Sequence, residues 1–98
     1  MTIIYHRRVP PEVYEACDYY DAQSAGLGDQ FFEELAALMN KIAEHPRRWP
    51  PLKAGDPRRK ALLDRFPYAV VYEERANFIK VLIVRHHARR PGYGERRK

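Results

Sequence analysis

The chain has 98 residues, with 18 Lys and Arg against 13 Asp and Glu and a formal net charge of +5. That length supports one hydrophobic core, residues 1–98 as a single domain, because either half alone would bury too little surface to fold. The lone Cys17 excludes an intramolecular disulfide and a cysteine-pair zinc site, and no apolar run approaches the roughly 20 residues needed to span a bilayer.

The amino terminus, MTIIYHRR, lacks the apolar stretch of a secretory signal. A soluble, unprocessed, cytoplasmic protein is therefore expected. Within it, Thr2 to His6 reads as a short strand, with Ile3, Ile4 and Tyr5 supplying β-branched and aromatic bulk, until Val9-Pro10-Pro11 breaks it. Pro11 followed by Glu12 and Glu15 reads as a helix start, since proline is tolerated in the first turn and early carboxylates complement the helix dipole. Val13, Ala16, Cys17 and Tyr20 recur at helical spacing, so the first helix is predicted from Pro11 to about Ala25.

Gly26-Leu27-Gly28-Asp29 makes a tight connection, with Asp29 able to cap the next helix. It is no phosphate loop, because the further glycine and the Lys-Ser or Lys-Thr of such loops are missing. Phe31, Phe32, Leu35, Leu38, Met39 and Ile42 mark a second, stronger amphipathic helix that stops at His45 before Pro46. The short link favours an antiparallel helical hairpin. PRRWPPLKAGDP, from Pro46 to Pro57, is too rich in proline for regular structure. Trp49 is expected to anchor it on the sheet or the second helix while Arg47, Arg48 and Lys53 stay in water.

Three strands are then predicted, Arg59 to Leu63, Tyr68 to Glu74 and Phe78 to His86, the last two joined by a turn at Glu74-Arg75-Ala76-Asn77. Period-two counting puts Ile79, Val81 and Ile83 on one side of the last strand and Leu82 and Val84 on the other. Both faces are apolar, as in a central strand covered on each side. The fold class is α+β in the order β-α-α-β-β-β, a helical hairpin packed on a small, mainly antiparallel sheet whose first strand lies at an edge or pairs with the carboxy-terminal half. The chain then ends with Arg85, Arg89, Arg90, Arg96, Arg97 and Lys98 against the single acid Glu95. A basic end of this kind attracts polyanions or an acidic protein segment, or simply keeps a solvated tail soluble.

The order of elements, AGLGDQFFEEL opening the second helix, the P-x-x-W-P loop, RFPYAVVYEE, and IKVLIVRHHARRPGY at the end together resemble the RelE/ParE superfamily of toxins from type II toxin–antitoxin systems. The resemblance spans nearly the whole chain. It implies a small bacterial toxin, without cofactor or metal, neutralised by a cognate antitoxin that wraps over its helices and sheet. Tyr19, Tyr20, Phe32 and Leu35 are the residues expected under the antitoxin. It also implies that operator DNA is contacted only through that antitoxin.

Two activities occur in the superfamily. RelE-like members cut messenger RNA on the ribosome, which needs positive groups around the scissile phosphate and an acid and a base for the oxygens. In them the strand matching YAVVY begins Tyr-Arg, whereas Ala69 stands here. A second arginine would fall near His86 or His87, and a terminal tyrosine falls on Tyr93. A nuclease would have to use Arg59, Arg65 and His87 for phosphate and proton, with Tyr93 stacking on a base and Arg85 as a further source of charge.

ParE-like members lack that set and inhibit DNA gyrase by protein–protein contact. This chain is closer to them, with Arg85, His86, His87, Arg89, Arg90 and Tyr93 as the expected contact residues; Tyr93 reads equally as a ring packed on the sheet, and the two histidines as structural or surface residues. A toxin-like binding module that has lost activity is a third reading.

Overall fold

The structure, a computed structural model, describes residues 1–98. Its elements run β1 (Thr2–Tyr5), α1 (Val9–Gln23), α2 (Leu27–Glu44), β2 (Arg58–Leu62), β3 (Tyr68–Glu74) and β4 (Phe78–His86). The sheet order is β1-β4-β3-β2, with β1 parallel to β4 and the other two pairings antiparallel. This is the expected α+β arrangement, and β1 lies at an edge while also pairing with the carboxy-terminal half. No helix is long and apolar enough to cross a membrane.

Both helices begin earlier than their sequence signals suggest. α1 starts at Val9, so Pro10 and Pro11 both fall in its first turn, where a missing N–H breaks no intrahelical bond. α2 starts at Leu27, after Gly26, and Asp29 does not cap it. The acceptor comes instead from α1: the Gly28 N–H donates to Asp21 Oδ1 at 2.8 Å. Gly28 is there for closeness, since a Cβ would stand 2.5 Å from the Cys17 carbonyl oxygen. Any other residue would push the hairpin apart.

The hairpin packs on one face of the sheet through a cluster of 17 buried side chains. Tyr20, Phe31, Phe66 and Tyr68 form its aromatic centre, with Tyr20 and Phe66 centroids 4.8 Å apart and Phe31 and Phe66 5.3 Å apart, edge to face. Such pairs add about 0.5–1.5 kcal/mol each beyond the area they bury. At the other end Trp49 meets Tyr72 edge-on at 6.4 Å, and the Tyr72 hydroxyl donates to the Pro46 carbonyl at 2.6 Å. The proline-rich segment is thereby anchored on the sheet. It also closes the free side of β2, with the Leu52 N–H donating to Arg58 O and the Lys60 N–H to Pro50 O.

Period two fails in β4. Tyr72 is paired with Val81 and Val71 with Ile83, leaving Leu82 as an extra residue. A bulge of this kind shifts the alternation by one. Ile79, Val81 and Val84 therefore face the helices, whereas Leu82 and Ile83 join Val71 on the outer face. The expectation that Ile83 would share a side with Ile79 and Val81 is corrected by that one residue.

Candidate functional site

After β4 the chain does not trail into solvent. Residues 90–97 make three overlapping β-turns, closed by Tyr93 N–H to Arg90 O, Glu95 N–H to Gly92 O and Arg97 N–H to Gly94 O at 3.0–3.1 Å. Pro91-Gly92 occupies the centre of the first, and Gly92 (φ 82°) and Gly94 (φ 75°) supply the left-handed backbone that the third position of such turns requires. Gly94 also lies so close to the sheet that a Cβ would meet Ile83 Cγ1 at 2.9 Å. The segment is thus a strap across the outer face, with the Tyr93 ring packed on Val71, Leu82 and Ile83 beside Leu52.

Two carboxylates fasten it. Glu12 of α1 accepts from Val84 N–H at 3.1 Å, the Tyr93 hydroxyl at 2.6 Å, and Arg97 Nη1 and Nη2 at 3.0 and 2.7 Å. Arg97 also donates to Leu82 O at 3.0 Å. β1 ends at Tyr5, so these two side chains satisfy backbone groups of β4 that no strand reaches, as buried polar groups require. Their side chains are only 9% and 11% exposed, which makes the bidentate pair a buried one. Glu95 is the second fastening, held by Lys53 Nζ at 2.8 Å and Arg85 Nη1 at 3.4 Å. The Lys53 contact first, and Arg85 with it, draw the Glu95 carboxyl below its ordinary pKa. Arg58 donates to the Glu95 carbonyl and pairs with Asp56 at 2.8 Å. Hydrogen bonds from Arg58 bring the Asp56 pKa down to about 2.

The strap sorts the six expected contact residues. Arg85 is turned inward, donating to Tyr93 O at 2.8 Å, and Tyr93 is held by Glu12, so both position the strap and neither is a free side chain. Their sequence neighbours could not reveal this, because the partners come from α1 and from the turns. His86 stacks edge-on against Tyr68 at 5.2 Å, and its Nδ1 accepts from Ala88 N–H. His87, Arg89 and Arg90 are exposed. Arg89 lies over the Tyr93 ring at 4.7 Å and within 3.9 Å of Glu15.

Groups needed for phosphodiester cleavage are scattered. Arg59 lies opposite Tyr72, on the helix-facing side, and donates to Trp49 O at 2.7 Å. Tyr93 lies on the outer face. Arg65, in the turn before β3, is engaged by Gln30 Oε1 at 2.8 Å, while His87 follows the end of β4. Arg59 and Tyr93 therefore lie on opposite faces of the sheet, whereas His87, whose N–H donates to Pro67 O at 2.8 Å, ends up at the same end of the sheet as Arg65. Ala69 is buried in the row Leu62, Ala69, Arg85. Burial drives the phenol of Tyr68, which lines a cleft with Tyr19, His86 and Arg89, up to about 12. It stays protonated at neutral pH.

The helical side carries a different feature. Tyr5, Val9, Val13, Tyr14, Phe32, Leu35, Ala36 and Met39 line an open groove of about 320 Å³ between β1, α1 and α2. Tyr14 and Phe32 stand at its rim, 65% and 51% exposed. Of the residues expected under an antitoxin, Phe32 lies here and Leu35 forms part of the buried floor. Tyr20 is instead locked in the aromatic core, and Tyr19 opens on the neighbouring cleft. Tyr14, Ala36 and Met39 went unassigned, although the adjacent pair Phe31-Phe32 signals an apolar stripe wider than a core-facing helix needs. No group of three or more His, Cys, Asp or Glu side chains is placed to hold a metal ion.

A helical hairpin on a four-stranded sheet of this order is also the fold found in the solved structure of a chromosomal ParDE TA system from P. aeruginosa. The TM-score is 0.75, covering 88% of this chain and 95% of that one, at 11% identity; a likeness at that identity speaks for the fold. Residues 3–91 match the family described as ParE toxin of type II toxin-antitoxin system, parDE, and the chain therefore belongs to that family. No curated protein sequence matches it. The resemblance read from the sequence is upheld on its ParE side.

Proposed function

We propose that the chain arrests growth in the cytoplasm by binding DNA gyrase through the surface around the strap, and that a cognate antitoxin neutralises it by covering the apolar groove. The observation that carries this is the separation of the nuclease set: Arg59 and Tyr93 lie on opposite faces of the sheet. General acid–base cleavage needs such groups within hydrogen-bond reach of one phosphate. What does converge is a cationic protein surface, with His87 and Arg89 exposed just before, and Arg90 at the start of, a strap that Glu12 and Glu95 hold in place. Presentation of arginines and aromatic anchors is the usual chemistry of a contact surface.

The groove supports the antitoxin half of the reading. Apolar lining with exposed aromatic rims suits the apolar face of an amphipathic helix. Contact with operator DNA would then come through the antitoxin.

The test is a supercoiling assay with purified gyrase and plasmid, alongside a translating extract carrying labelled transcript. Inhibited supercoiling with accumulated gyrase–DNA cleavage complexes and intact transcript is the expected result. Cut transcript with unimpaired supercoiling would overturn the reading in favour of a ribosome-dependent nuclease. An inert protein in both assays would mark a toxin-like module without activity.

A further inference from the structure

The overlapping turns leave a pattern among their amides. The N–H groups of Tyr93, Glu95 and Arg97 are taken by the turn bonds, whereas those of Gly92, Gly94 and Arg96 have no acceptor in the chain. Gly92 and Gly94 line, with Arg90, Arg96 and Arg97, a cavity of about 500 Å³ without a single apolar or acidic residue. Arg97 is neutralised by Glu12, but Arg90 and Arg96 are exposed and form no ion pair. Arg96 also lines the neighbouring cleft with Asp56, Glu73 and Glu95, but neither it nor Arg90 is paired, and backbone donors without an acceptor beside unpaired guanidinium groups are what a phosphate oxygen takes.

Positive charge continues beyond this cavity. Arg7 and Lys80 also lack ion pairs, and with Arg97 they lower the pKa of His6, after the larger effect of its burial. The corner where β1 ends beside β4 therefore carries positive charge of its own, opposed in part by Glu12, which raises the same pKa, and by Glu73, opposite Lys80 across β3 and β4. A field wider than one anion fits a polymer of phosphates better than a single ion. We propose that the strap turns bind the sugar–phosphate backbone of DNA, with Arg90, Arg96 and the glycine amides on one phosphate and Lys80 and Arg7 along the strand. Backbone amides and arginines on phosphate read no base, so binding is independent of sequence. The inference leans on the gyrase reading only for the choice of DNA over other polyphosphates.

The experiment is anisotropy of a labelled DNA duplex with the full chain, without gyrase, titrated between about 50 and 200 mM salt. Arg90→Ala with Arg96→Ala is expected to weaken binding at least about tenfold and to flatten the salt slope by about 1 to 2. Lys41→Ala with Arg48→Ala, which removes two exposed cations in and after α2, should leave the slope near that of the parent. Unchanged unfolding midpoints for both double variants show that folding is not the cause. Equal losses in the two variants, absence of parent binding at the low-salt end, or polyglutamate of matched charge competing as well as DNA would each overturn the site. A toxin that inhibits gyrase without binding DNA sinks this inference and spares the gyrase proposal. One that binds DNA and leaves gyrase untouched does the reverse.

Discussion

The two faces of the sheet are held by different physics. On the helical face a cluster of 17 buried side chains, none of them charged, packs around Phe31, Phe66 and Tyr72. On the outer face only Ala69, Val71, Leu82 and Ile83 are buried, and the strap above them is fastened by Glu12, Arg97, Arg85 and Glu95. Apolar burial has no preferred direction and tolerates small shifts, whereas bidentate ion pairs fix one geometry. The helical side makes a fold; the outer side makes a fixed surface out of residues too polar to form a core. Loss of apolar volume should therefore unfold the whole chain, while loss of a charge should loosen the strap.

The largest effect belongs to the apolar side. Phe31 is fully buried and touches three aromatic rings. Phe31→Ala is expected to cost about 3–5 kcal/mol, read as a lower midpoint in urea with strap and helices melting together. Next comes Glu12→Ala, which leaves Arg97 buried without its partner and Val84 N–H without an acceptor. Breaking such a pair costs roughly 3 kcal/mol or somewhat more. Its mark is selective loss of amide protection over residues 88–98 in hydrogen exchange, with the aromatic core still protected. Uniform loss across both faces would erase the distinction between them.

How much of this could be read in the sequence depends on the range of the interactions. The stripe of α2 and the bounds of β3 and β4 are local periodic patterns, and Tyr68–Glu74 and Phe78–His86 stand where those patterns put them. The bulge was invisible because Val81, Leu82, Ile83 and Val84 are apolar in either phase, so one extra residue leaves no trace in composition. Glu12 looked like an ordinary first-turn carboxylate. Its partners Val84, Tyr93 and Arg97 lie 72 to 85 positions away, beyond any local signal. The same distance explains why Arg85 looked free for a target, whereas the Tyr93 ring takes the sheet-packed of its two readings. The turn at Pro91-Gly92 brings the chain back to Ile83 only because Gly94 fits where no side chain could.

Acid sharpens the comparison with a smaller effect. Asp56 has its folded pKa lowered from 3.8 to about 2, and Glu95 is lowered in the same direction. A depressed carboxylate stabilises the folded state fully above its unfolded pKa and loses that contribution as pH falls toward the folded one. The share of stability due to these two carboxylates should thus be constant above about pH 5 and decline between about pH 4.5 and 2. The Asp56 share is no more than about 1 kcal/mol, because its surroundings are partly solvated. Urea midpoints of the parent and of Asp56→Asn across that range check it: the variant's decline should be shallower. Identical declines would remove Asp56 from the acid response.

The smallest effect on stability should accompany a large one on binding. Tyr14 and Phe32 stand at the groove rim, more than half exposed, and neither belongs to the buried cluster. Truncating both to alanine removes little burial from the folded chain, so the unfolding free energy should move by no more than about 0.5 kcal/mol per site. An antitoxin helix seated in the groove would lose two aromatic anchors, each worth about 2 kcal/mol or more at the centre of an interface. Calorimetry of the variant with the cognate antitoxin should then show affinity down by at least about a hundredfold. Full affinity in Tyr14→Ala with Phe32→Ala would mean that the antitoxin sits elsewhere, and the outer face, with its bulged strand and strap, would become the surface where both partners compete.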